Sequence, residues 1–124
     1  MRSAFSTPFP ALAIRLDLDA ECRIEPTKIQ LLEQIHACGS ISAAGRAMGM
    51  PYRQAWNLVD EINRVCRRPA VARQIGGKNG GGANLTPFGY SLVARYRQIE
   101  RSAEKVARTE LACLLADLGA RAKA

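Results

Sequence analysis

Arg53, Gln54 and Asn57 crowd into the run Tyr52-Arg53-Gln54-Ala55-Trp56-Asn57. Their side chains carry the donors and acceptors that match base edges: the Arg fork suits guanine, and the Gln and Asn carboxamides suit adenine. A second group follows in Gly76-Gly77-Lys78-Asn79-Gly80-Gly81-Gly82. Five of the chain's ten glycines sit there, so backbone amides can approach an anion with no Cβ in the way, and Lys78 adds charge. That chemistry suits a phosphate backbone. Such contacts position a protein and make binding salt-dependent, but they carry little sequence information. Arg73, with Arg67 and Arg68, extends the basic character to the base of this segment. The glycine-rich run does not fit a nucleotide cradle: Lys78 is followed by Asn79, not Ser or Thr, and no Gly-x-Gly-x-x-Gly occurs.

Other chemistries find little to work with. His36 is the chain's single histidine, nothing pairs with it at metal spacing, and it reads as an ordinary surface or interface residue. Without Gly-x-Ser-x-Gly or a nucleophile beside a base, no enzyme is expected. Cys22, Cys38, Cys66 and Cys113 are widely spaced, so they read as small buried apolar residues in a reducing compartment and not as zinc ligands. No metal, cofactor or small-molecule ligand is expected within this chain. A formal net charge of +7 over 124 residues favours a polyanionic partner, although a basic surface alone is weak support. No apolar run approaches the ~20 residues of a membrane span. Pro8, Pro10 and Arg15 break up any signal-peptide pattern, so a cytoplasmic location is expected.

The elements that must position these residues can be read from periodicity and punctuation. Residues 1–10 read as a flexible arm, 11–85 as the helix-turn-helix with its hairpin, and 86–124 as a long helix with a frayed tail. Leu12, Ile14, Leu16 and Leu18 alternate with polar or small residues, which predicts a strand with one buried face. A helix from Thr27 to Cys38 follows, with Thr27 and Gln30 as a capping box, Pro26 at its entry and Gly39 at its stop. Ser40 caps the next helix, which ends at the tight turn of Gly49. The third begins at Pro51 and buries Ala55, Leu58, Val59 and Ile62, leaving Tyr52, Arg53, Gln54, Asn57 and Arg64 outward. Trp56 lies at the edge of the buried stripe and reads as a core aromatic before a base contact.

Val71–Ile75 and Ala83–Leu85 read as the arms of a hairpin, joined by the first strand into a small three-stranded antiparallel sheet. Thr86 caps the last helix and Pro87 opens it. Leu92, Tyr96, Ile99, Ala103, Val106 and Cys113 fall at coiled-coil-like spacing, interrupted by Glu110, and predict a dimerisation seam. The fold class is therefore α+β, mainly helical: a helix-turn-helix followed by a flexible basic hairpin, the winged form of a DNA-reading module.

Gly39-Ser40-Ile41-Ser42, Gly49-x-x-Tyr52-Arg53-x-Ala55-Trp56 and Gly76-Gly77-Lys78-x-Gly80-Gly81-Gly82-Ala83-x-Leu85-Thr86-x-x-Gly89 together resemble the N-terminal domain of ModE-type molybdate-responsive transcription regulators, itself related to the LysR-type winged helix. The resemblance covers about residues 12–115. It implies a homodimer that holds a near-palindromic double-stranded operator, with candidate DNA contacts at Ser40, Ser42, Tyr52, Arg53, Gln54, Asn57, Arg73, Lys78, Asn79 and Gly80. The candidate dimer contacts are Leu92, Tyr96, Ile99, Ala103 and Val106. Two departures stand out. Pro51 occupies a position where such helices commonly carry a Ser cap. The sequence also stops at Ala124, leaving no room for the family's C-terminal oxyanion-binding domains, so molybdate sensing is not carried over. A winged-helix dimer that bridges other proteins without reading DNA is the competing reading, and the unpaired charge of Arg53 and Lys78 speaks against it.

Overall fold

The computed structural model describes residues 9–74 and 82–119. In chain order the elements are β1 (Leu16–Asp17), β2 (Arg23–Ile24), α1 (Pro26–Cys38), α2 (Ile41–Ala47), α3 (Tyr52–Val65), β3 (Val71–Gln74), β4 (Gly82–Leu85) and α4 (Pro87–Asp117). They enclose one core. Ile24, then Ile29, Leu31, Leu32 and Ile35 of α1, meet Ile41 and Ala44 of α2 and Ala55, Val59 and Ile62 of α3. The hairpin adds Val71, Ala83 and Leu85, and α4 adds Leu92 and Tyr96.

The expected three-stranded sheet is replaced, among the described residues, by two separate ribbons, β1 with β2 and β3 with β4. The cause is local. Asp19 Oδ1 accepts from the Glu21 and Cys22 amides, each at 2.9 Å, and this turn reverses the chain just after Leu18. β1 thus finds a partner a few residues on, paired Leu16 with Ile24 and Asp17 with Arg23, before the distant hairpin can compete. Leu12, Ile14 and Leu16 are half-buried as the alternation requires, while Leu18, at the turn, is exposed.

The N-terminus of α1 also differs from expectation. Glu25 occupies the cap position without a side-chain bond and Pro26 opens the helix, so Thr27 is an exposed first-turn residue. Proline at the first position pre-sets the helical φ, and the Lys28 amide donates to Glu25 O at 3.1 Å in place of a side-chain cap. At the other end Gly39, at φ 78, donates its N–H to Ile35 O at 2.8 Å.

Among the described residues, Lys28 is the one charged residue in the core. Its Nζ lies 2.7 Å from Glu61 Oε2 and 2.6 Å from Arg23 O. Glu25 Oε1 sits 3.0 Å away as an ion pair, off the hydrogen-bonding line. Burial pushes the ammonium toward deprotonation, but the two carboxylates outweigh it and leave the pKa raised. The cluster ties β2 and α1 to α3, fixing the helix-turn-helix against the first ribbon.

Two close approaches explain two glycines. A Cβ on Gly45 would lie 2.9 Å from Ala55 Cβ, so glycine there sets how tightly α2 crosses α3. At the start of α4, a Cβ on Gly89 would lie 2.2 Å from Ala70 O. That carbonyl also accepts from Thr86 N at 3.0 Å, so the backbone cannot simply move aside. Gly89→Ala is expected to destabilise the fold by about 1–3 kcal/mol. Urea unfolding followed by circular dichroism would check this, and an unchanged midpoint would contradict it.

The cysteines divide. Cys22 is buried, as expected, whereas Cys66 is only half-buried and Cys38 and Cys113 are exposed. Burial first, then the neighbouring Cys22, pushes the Cys66 thiol up to about 11, leaving little thiolate at neutral pH.

Candidate nucleic-acid interface

α3 turns one line of side chains inward and another outward. Ala55, Val59, Ile62 and Val65 are buried, while Tyr52, Arg53, Gln54, Asn57 and Arg64 are exposed. Arg53 and Asn57 lie one turn apart on the outer face, with Gln54 beside them. Asp60 joins the same outer line, a position the sequence reading passed over even though the spacing from Arg53 and Asn57 marks it. A carboxylate there can accept from a cytosine amino group and is a poor neighbour for phosphate. Gly49, at φ 65, supplies the left-handed residue of the turn before α3. Pro51 caps α3 without a side-chain bond, and Tyr52 takes the first helical position expected for Pro51.

The hairpin is fastened to α3 at two levels. Asn63 Oδ1 accepts from Ala70 N at 2.8 Å and Val71 N at 3.3 Å. Two turns nearer the N-terminus of α3, the Arg73 guanidinium lies 4.7 Å above the centre of the Trp56 ring. Tyr52 meets the same ring at 5.9 Å between centroids. Sequence alone placed Asn63 in no role. β3 and β4 pair Val71 with Leu85 through Gln74 with Gly82, and the Ala83 amide donates to Gly39 O at 2.9 Å. The hairpin therefore stands between α3 and the C-terminal end of α1. Ile75 and the tip, including Lys78, Asn79 and Gly80, lie outside the described residues.

Some candidate contacts are committed elsewhere. Ser40 Oγ accepts from Ala43 N at 3.0 Å as the cap of α2, and Ser42 is half-buried. Arg67, read as free charge at the hairpin base, donates to Asp19 Oδ2 at 2.8 Å, and Arg68 stacks 4.6 Å over Phe88. His36 is exposed, with Nδ1 3.1 Å from Tyr90 Oη and 3.4 Å from Asn84 Oδ1.

The expected seam on α4 splits in two. Leu92 is 8% exposed and Tyr96 1%, so both belong to the chain's own core and, against expectation, are not available as dimer contacts. Tyr96 Oη also donates to Ile14 O at 2.6 Å. The reason is length: α4 has 31 residues, about 46 Å at the helical rise, and only its first part lies against the domain. Beyond it the same line emerges, with Ala103 half-buried, Ile99 43% exposed and Val106 84% exposed. Leu114, Leu115 and Leu118 continue as exposed apolar residues. Steps of three and four from Leu111 would have found them. Arg97 pins the start of this segment, its guanidinium reaching Glu33 at 2.6 Å and Glu100 at 2.8 Å.

The first curated relatives are a molybdenum transport protein ModE of Azotobacter vinelandii, 40% identical over 85 residues, 68% of this chain and 32% of the relative, and a transcriptional regulator ModE of Haemophilus influenzae, 34% identical over 93 residues, 75% of this chain and 36% of the relative. The matched portion is homologous to the N-terminal part of the ModE-type regulators. The DNA-binding transcriptional dual regulator ModE of Escherichia coli K12 is 34% identical over 94 residues, 76% of this chain and 36% of the relative. The chain thus spans about a third of the length of these ModE-type proteins. No family model matches. Among solved structures, a point mutant of S. aureus MepR superposes with a TM-score of 0.57 at 17% identity, covering 77% of this chain and 75% of that one. The multiple antibiotic resistance repressor MarR gives 0.55 at 15%, covering 78% of each. At those identities the likeness is of fold, and the fold is a winged helix. No helix among the described residues is long and apolar enough to cross a membrane.

Proposed function

We propose that this protein is a sequence-specific, homodimeric regulator of transcription that binds double-stranded DNA. In this reading the outer face of α3 enters the major groove, the hairpin rests on the flanking backbone and α4 joins two protomers. One observation carries it: Arg53, Gln54 and Asn57 stand together and exposed on α3, beside a hairpin fastened to that helix at Asn63 and Trp56. The ModE-type relatives, named as transcriptional regulators, support the same reading. Its target genes are proposed to handle molybdenum, the element that appears in the name of the Azotobacter relative.

A gel shift against fragmented genomic DNA at two salt concentrations tests the reading. Discrete fragments retained at the higher salt are expected. Failure to retain any DNA at low salt would overturn it and favour a protein-bridging module. The hairpin tip has its own signature. Lys78→Ala is expected to weaken binding to all sequences alike and to lower the salt slope by about one, because one phosphate contact is lost. Altered sequence preference with an unchanged slope would mean that the tip reads bases.

A further inference from the structure

Trp56 is the chain's only tryptophan, and it sits where the recognition helix meets the hairpin. Its indole Nε1 is buried and meets no acceptor among the described residues. One face of the ring carries the exposed Arg73 guanidinium at 4.7 Å, and Tyr52 approaches at 5.9 Å. The two fastenings between α3 and β3 differ in kind. At Asn63, directional bonds to the Ala70 and Val71 amides hold the root of the hairpin. At Trp56 a cation lies on an aromatic face, an attachment that is soft and has no fixed register. Together the two points set the line along which the hairpin leaves the helix, and the soft one lies toward its tip.

We propose that Trp56 is a positioning residue that holds Arg73 ready for the DNA backbone, and that binding transfers the guanidinium from the indole face to a phosphate. This rests on the DNA-binding reading above and adds how the hairpin engages. A charge-assisted, forked bond to phosphate is stronger than an exposed cation–π contact, so the transfer runs toward DNA. Until then the ring keeps a flexible side chain aimed beside the base-reading face, which lowers the ordering cost at the moment of binding. Trp56 itself reads no base. Stacking on the ring also explains why Arg73, unlike Arg67, stays available: Arg67 is tied to Asp19, whereas the indole offers Arg73 no counter-charge to overcome.

Because Trp56 is alone, its fluorescence reports the transfer directly. Titrating the full chain with operator DNA is expected to shift Trp56 emission in parallel with the gel shift. Free Arg73→Ala should already be displaced in the same direction and should lose most of the DNA-induced change. It should also lower the salt slope by about one. Trp56→Leu is expected to weaken binding about two- to tenfold on operator and random DNA alike with the salt slope intact, since Arg73 still reaches its phosphate. Trp56→Phe, which keeps an aromatic face, should restore most of that loss. Wild-type protein that binds DNA with its emission unmoved overturns this inference alone, as does Arg73→Ala showing the full wild-type change. Wild-type protein that shifts no DNA takes down the DNA-binding reading and this inference together.

Discussion

Replacing Ile99 and Val106 together by Asp is expected to give monomers in analytical ultracentrifugation and to abolish operator binding, while the winged domain stays folded. The two positions are separated by two helical turns on one line of α4. Both are exposed in the protomer, so the substitution removes nothing from the core that holds α3. In a dimer built on α4 they would become buried, and so would their counterparts. Burying a Val or Ile side chain contributes about 1.5–3 kcal/mol. Placing carboxylates there instead sets unpaired like charges against one another in a dry seam. DNA binding should fall with assembly because a single small module makes too few contacts to select one site, whereas two on a twofold axis read a near-palindrome with half-sites about one or two DNA turns apart. The double variant should keep its wild-type circular dichroism and its unfolding midpoint when compared at monomeric concentrations. Wild-type protein that sediments as a monomer at micromolar concentration yet still binds an operator tightly would overturn the dimer.

What could be read in advance depended on how local its cause is. The helix-turn-helix was legible because its determinants are neighbours: Ser40 caps α2 through the Ala43 amide, Gly49 turns the chain, and Ala55, Val59 and Ile62 recur at helical spacing inward. Pairing of the first strand was misread because its outcome hangs on the Asp19 turn, a polar side chain that competes with periodicity as a signal. The core ammonium of Lys28 had little visible sign either: Glu25 lies only three residues before it, but Arg23 O and Glu61 reach it from β2 and α3. On α4 the apolar line was correct, but periodicity cannot say where a domain ends. Leu92 and Val106 share one line and differ wholly in exposure. At the interface, residue type announced Arg53, Gln54 and Asn57. Trp56 and Arg73 meet only because β3 runs back along α3, which no spacing reveals.

Arg53→Ala is expected to cost about 1–3 kcal/mol on the operator, roughly five- to 150-fold in affinity, and to relax selectivity at one base position. Arg53 is exposed in the first turn of α3, the end by which such helices enter the major groove. Among the described residues no carboxylate holds its guanidinium: the ion pairs there engage Arg15, Arg23, Lys28, Arg67 and Arg97. Truncation should therefore leave the fold intact and remove a fork available to guanine. Asn57, one turn further along the same face, makes the comparison informative. Asn57→Ala should relax a different, neighbouring position, since a helix lying in the groove presents successive turns to successive base pairs. Binding to random DNA should fall much less in either variant, because it depends chiefly on phosphate contacts. Selection from a randomised operator library, with affinities measured on operator and random duplex at one salt concentration, separates these effects. Equal losses on both DNAs, with selectivity unchanged, would show that Arg53 holds a phosphate and that base reading lies elsewhere on α3.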